Sequence, residues 1–258
     1  MIVKKRIISF TSVLALISTA SAIEITSPTH AVDISGKQRM FTQRMLKDYA
    51  MVGMGNTFGK PEEDLKKISV TFQDHMDSLA GYTKSEEIKK SISELNTLWV
   101  SVQKVLLDTP SKEKVEKLQI DLETLLKSSD KITKLFTKES GKSSGETVNK
   151  AGRQRMLSQR MASLYMLKVW EVEDPQFNKK LEESMSLFKN SLSELESSSL
   201  NTDEIKTILA KVKKSFMFFE MMSMSKSKFV PTLIYKKSND ILVNMNTATQ
   251  KYVALETK

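Results

Sequence analysis

The sequence predicts an all-α fold: two tandem four-helix bundles that pair as a pseudo-dimer. Three observations carry that prediction. Apolar residues recur at three- and four-residue steps along most of the chain, the period of an amphipathic helix. Only 8 Gly and 5 Pro punctuate 258 residues, too few turn residues for a protein of many short strands. A seventeen-residue block also occurs twice. Asp33–Tyr49 reads DISGKQRMFTQRMLKDY, and Asn149–Tyr165 reads NKAGRQRMLSQRMASLY, 116 positions later.

The elements follow in order. Residues 1–22 have the three parts of a secretory signal peptide. Lys4, Lys5 and Arg6 form a positive start, Ile7 to Ile17 an apolar run, and Ala20-Ser21-Ala22 a small-residue cleavage site. The run is short of the ~20 residues a membrane helix needs, so a cleaved leader and a periplasmic destination are expected, with an uncleaved anchor as the alternative. Residues 23–138 then form the first bundle, with helices at 32–57, 62–82, 85–107 and 111–137. Residues 139–146 contain ESGKSSG and are expected to be a linker. Residues 147–258 form the second bundle, with helices at 147–172, 176–197, 202–226 and 230–256. Pro61 and Pro175 fall where second helices should start, a position that tolerates proline. Weaker echoes continue the repeat, such as Leu65 with Leu181 and Phe72 with Phe188. KSSD at Lys127–Asp130 echoes KSND at Lys237–Asp240 at an offset of 110, which predicts a shorter loop in the second copy.

Composition narrows the chemistry. There is no Cys, which excludes disulfides, thiolate metal sites and thiol catalysis. Only His30 and His75 remain for imidazole chemistry, and His75 is expected on a solvated surface. No metal site, no cofactor and no catalytic residue is expected, and the chain does not read as an enzyme. The formal charge is +9, falling to +6 once the three basic groups of the leader are removed. Such a field draws small anions, but the leader and the lack of an aromatic–basic pattern argue against nucleic acid. Met217, Met221, Met222 and Met224 lie among Phe216, Phe218 and Phe219 and are expected to be packing residues rather than a copper site.

The arginines are the sharpest signal. The chain has 34 Lys and 6 Arg. Outside the leader, all five arginines (Arg39, Arg44, Arg153, Arg155 and Arg160) lie inside the repeated block. Arginine presents a planar fork of donors suited to a planar oxyanion. At 100° per residue, Phe41, Met45, Tyr49 and Val52 form one stripe, facing the helix's own bundle. Val32, Gly36, Arg39, Gln43, Leu46 and Ala50 form a second, with heptad steps. Its counterpart is Val148, Gly152, Arg155, Gln159, Ala162 and Met166. Pairing the two seams brings Arg39 opposite Arg155, which requires compensation by a bound anion or by nearby Asp or Glu.

The blocks ISGKQRMFTQRM and NKAGRQRMLSQRM closely resemble the signature helix of PilJ-type and NarX-like sensor domains. That family comprises helical extracytoplasmic domains of chemoreceptors and sensor kinases. In its nitrate/nitrite sensor kinases the matching helix lies at a dimer interface and binds nitrate. The resemblance implies that Arg39 and Arg155 are the anion-binding arginines. It adds Lys150 as a further ligand, for which the first copy has Ile34. The implied site is Arg39, Arg155, Lys150, Gly36 and Gly152, with Gln43, Gln159, Arg44 and Arg160 in support. Family members usually add membrane spans and a cytoplasmic signalling region, which this chain does not show. The expectation is therefore a periplasmic module that binds nitrate, nitrite or a similar oxyanion and signals to a separate partner, a membrane sensor kinase or chemoreceptor. The alternative is a ligand-free helical scaffold or adaptor. The sequence leaves open whether the two signature helices pair within one chain or between two.

Overall fold

The computed structural model describes residues 23–141, 143–224 and 230–255. Residues 1–22, expected to be a signal peptide, lie outside the described residues. Eight helices follow one another: α1 (Pro28–Gly53), α2 (Pro61–Tyr82), α3 (Glu86–Leu106), α4 (Lys112–Ser140), α5 (Ser143–Val169), α6 (Phe177–Glu196), α7 (Asp203–Met224) and α8 (Pro231–Ala254). Among the described residues there is no strand.

Helices α1 to α4 close one bundle and α5 to α8 the other, each helix packing against two neighbours in its own bundle. The most extensive contact of all joins the bundles: α1 lies along α5. The two signature helices thus pair within a single chain. One continuous apolar core runs through both halves, from Phe72 and Trp99 in the first to Phe188 and Phe219 in the second.

The two predicted stripes behave differently, as their positions require. Phe41, Met45 and Tyr49 are buried in the first bundle, and the Tyr49 hydroxyl accepts a hydrogen bond from Ser111 N at 3.2 Å. Tyr165 repeats the device, accepting from Val230 N at 2.9 Å. Each tyrosine ties its signature helix to the start of the last helix of its bundle. Gln38 and Gln154 form a second matched pair. Their side-chain amides donate to the carbonyls of Phe72 (2.8 Å) and Phe188 (3.2 Å) on the neighbouring helix.

Several boundaries move. Helix α1 starts at Pro28, earlier than expected, because Ser27 accepts from His30 N and proline is tolerated in the first turn. The segment 139–146, expected to be a linker, is mostly helical. Helix α4 runs through Ser140, Gly141 turns the chain in the left-handed region (φ 61°), and α5 begins at Ser143. The second copy does not have the shorter loop that the KSSD/KSND echo predicts. Three residues separate α2 from α3, and six separate α6 from α7. His75 is not on the surface: it is 3% exposed, with its ring 5.3 Å from that of Phe41. Phe216 and Phe219 are core residues, but Met217 and Met221 face outward, each 60% exposed.

Candidate functional site

The seam of α1 and α5 is a helix contact with polar layers. Gly36 and Gly152 leave room for the arginine heads. A Cβ on Gly36 would lie 3.3 Å from Arg39 Nη2 and 3.6 Å from Arg155 Nη2. On Gly152 it would lie 3.1 Å from Arg155 Nη2 and 3.3 Å from Arg39 Nη2. The two guanidinium groups therefore meet between the two glycines, and both side chains are fully buried. Each Nε lacks a hydrogen-bond partner among the described residues.

Two carboxylates of the chain compensate the pair. Arg39 Nη1 donates to Asp130 Oδ1 at 2.6 Å, and Arg39 Nη2 to the Asn149 carbonyl at 3.3 Å. Arg155 Nη1 lies 2.7 Å from Asp33 Oδ1 and donates to Asn246 Oδ1 at 3.1 Å, while its Nη2 donates to the Asp33 carbonyl at 3.4 Å. Each Asp gives its other oxygen to a lysine one turn on. Lys37 is 3.0 Å from Asp33 Oδ2, and Lys134 is 2.8 Å from Asp130 Oδ2. Arg153 is 3.5 Å from Asp130. The cluster holds five cations against two carboxylates.

Burial would raise both carboxyl groups, but their partners prevail. Lys134 and Arg39 hold Asp130 down to about 2. Arg155 and Lys37 keep Asp33 below the usual carboxylate range. Burial lowers Arg39 to about 10 despite Asp130, so it remains a cation at neutral pH.

The next layer along the seam is Gln43 and Gln159, both buried. Gln159 Nε2 donates to the Ser238 carbonyl at 3.1 Å, and its Oε1 accepts from Lys47 Nζ at 2.8 Å. Lys47 is itself fully buried. It also donates to Asn239 Oδ1 at 2.8 Å and lies 4.0 Å over the Tyr235 ring. Burial lowers its ammonium to about 8, with Asp48 beside it opposing. Burial also pushes the Asp48 carboxyl well up.

The expected site residues thus divide. Arg39, Arg155, Gly36, Gly152, Gln43 and Gln159 come together on the seam. Three do not. Lys150 is five residues before Arg155, a different face of the helix, and pairs with Glu194 at 2.5 Å on the outer flank. Arg44 forks onto Asp64 of α2, with bonds of 2.8 and 2.7 Å. Arg160 reaches Glu123 of α4 at 2.8 Å. These two brace the signature helices against their neighbours. Asp33, Asp130, Asn149 and Asn246 belong to the site, and none was expected there. Asp33 and Asn149 open the two repeated blocks. Asp130 was legible only in KSSD, where the echo paired it with Asp240. In the structure its equivalent is Asn246, because Arg39–Asp130 and Arg155–Asn246 have the same spacing in sequence.

Residues 136–216 match the PilJ family model. Its description is the N-terminal domain of type IV pili methyl-accepting chemotaxis transducers. The PilJ match runs from the end of α4 into α7 and includes the second signature helix with Arg155. The motif resemblance and the family model therefore agree on this stretch. PilJ is a chemoreceptor sensory domain family rather than an enzyme family, and such a domain works with signal-transduction partners. No curated protein and no solved structure matches the chain. Within the described residues, no helix is long and apolar enough to cross a membrane.

Proposed function

We propose that this chain is a periplasmic sensor module that binds a small planar oxyanion of the nitrate/nitrite class between Arg39 and Arg155. In this reading the leader at 1–22 is cleaved, and the bound state is read by a separate membrane sensor kinase or chemoreceptor. The observation that carries the reading is the pair of fully buried guanidinium groups meeting between Gly36 and Gly152, with cations in excess around them. Two arginine forks converging on one point have the geometry that planar oxyanions match, and the surplus charge attracts them. An entering anion would displace a carboxylate oxygen from one fork and leave that Asp paired with its lysine.

A second reading is a ligand-free scaffold or adaptor. It is favoured by the one carboxylate that each arginine already holds.

Calorimetric titration and thermal shift of the mature chain test the two readings. Nitrate, nitrite, sulfate, phosphate and chloride are compared at fixed ionic strength. The sensor reading expects one planar oxyanion to bind and to raise the melting temperature. Arg155→Lys keeps the charge but loses the fork, so binding should weaken at least tenfold. No heat and no shift from any anion, with a folded protein, leaves the scaffold reading.

A further inference from the structure

The two copies present the same four positions to the arginines but fill them differently. Arg39 meets the Asp130 carboxylate of its own copy and the backbone carbonyl of Asn149 of the other, whose side-chain oxygen has no hydrogen-bond partner among the described residues. Arg155 meets Asn246 of its own copy and Asp33 of the other. In the repeat, Asp33 corresponds to Asn149, and Asp130 to Asn246. Both carboxylates therefore come from the first copy, and the second has the neutral isostere at both places. The outcome is one carboxylate for each arginine, one from α1 and the other from α4.

We propose that Asp33 and Asp130 are tethered competitors of the oxyanion, determining which anions can enter the Arg39/Arg155 seam and how tightly. This inference rests on the oxyanion reading above. A carboxylate is itself a planar oxyanion and engages the same donors. Attached to the chain, it faces the fork at a high effective concentration, so a free anion must outcompete it. Apparent affinity falls by the fraction of time the fork is free. The lysines make the exchange feasible: Lys37 and Lys134 already hold the second oxygen of each Asp, so a displaced carboxylate keeps a cation. Asp130 and Asn246 are only half-buried, which gives the exchange a route from solvent at both ends of the arginine pair.

Asp33→Asn, Asp130→Asn and the double variant test this in the full mature chain, by titration with nitrate and nitrite at fixed ionic strength. Each single change makes the second copy's residue and should tighten binding about threefold or more, and the double variant tenfold or more. Without anion the variants should melt lower than wild type, and nitrate should restore the difference. Asp33→Glu keeps a carboxylate and should stay near wild-type affinity. Binding in wild type with unchanged affinity in the variants overturns the competition and leaves the oxyanion site standing. No binding in any folded variant overturns both. If the double variant loses its helical signal, the single variants decide in the same way.

Discussion

At the scale of single residues, burial explains His75. The imidazole lies against Phe41 with no partner for Nδ1 among the described residues, and burial lowers it to about 4, with Lys37 and Arg155 adding to the shift and Asp33 opposing it. The unfolded chain takes up this proton near 6.5 and the folded chain only near 4, so acid favours unfolding. Stability from this group is complete above pH 6.5, falls as pH drops from 6.5 to 4, and levels off below. The loss amounts to about 3 kcal/mol over that window. Asp48 has the opposite sign: its raised carboxyl favours the folded state as pH falls. His75→Leu separates the two, because Asp48 is common to both proteins. Denaturant unfolding at pH 7.5 and pH 4.5 should show a smaller pH difference in the variant, and an equal difference would refute the assignment. The sequence hid this burial. His75 stands beside Asp74 and Asp77 and so reads as polar, but helical geometry turns it inward, away from those neighbours. Arg39 and Arg155 were legible for the opposite reason: five arginines in a lysine-rich chain mark a place where the fork matters.

At the scale of helices, α1 and α5 end in the same motif with different residues. Gly55 N donates to the Val52 carbonyl and Asn56 N to Met51, with Gly55 in the left-handed region at φ 69°. Glu171 N and Val172 N make the same two bonds to Lys168 and Leu167, but at φ 57° on a residue with a Cβ. The exposed pairing of Glu171 with Lys112, 3.5 Å away, offsets little of that strain. Glu171→Gly should therefore stabilise the protein by about 1 kcal/mol. That should raise the melting temperature by roughly 2–4 °C for a chain of this size. An unchanged or lower melting point would show that the ion pair outweighs the backbone term. Gly53 has the reverse requirement: a Cβ there would lie 2.2 Å from Trp170 Cζ2. Gly53→Ala should cost about 1–3 kcal/mol although alanine favours helix, and Trp170→Leu in the same chain should recover part of it. Element type and order were legible because helical periodicity is local. The 139–146 segment misled because Gly and Ser mark turns and flexible linkers alike, and here one left-handed glycine suffices.

At the scale of the whole molecule, the repeat gives two bundles, and the packing of α1 along α5 joins them. The pairing of the signature stripes was legible because each carries small residues and arginine at heptad steps. The partners of those arginines were not, because Asp130 and Asn246 lie on the last helix of each bundle, 91 residues away from the arginine they meet. Those two pairings lie within the bundles, whereas Arg155–Asp33 and the packing of α1 along α5, the most extensive helix contact, tie one bundle to the other. Separating them would expose Val32, Leu46, Ala50, Val148, Ala162 and Met166 and break the buried Arg155–Asp33 pair. Breaking one partner of such a buried pair costs about 3–5 kcal/mol, so neither half is expected to persist once the other unfolds. Chains above ~150 residues often unfold in stages, which makes the expectation specific. For the roughly 230 residues that follow position 22, one transition should carry an enthalpy of about 160 kcal/mol near 60 °C, whereas a half melting alone would carry about 80. Scanning calorimetry of the mature chain should give one peak whose van't Hoff enthalpy matches the calorimetric value. A van't Hoff enthalpy near half that value would mean that the bundles melt independently and that the seam is weaker than its buried charges and apolar area require.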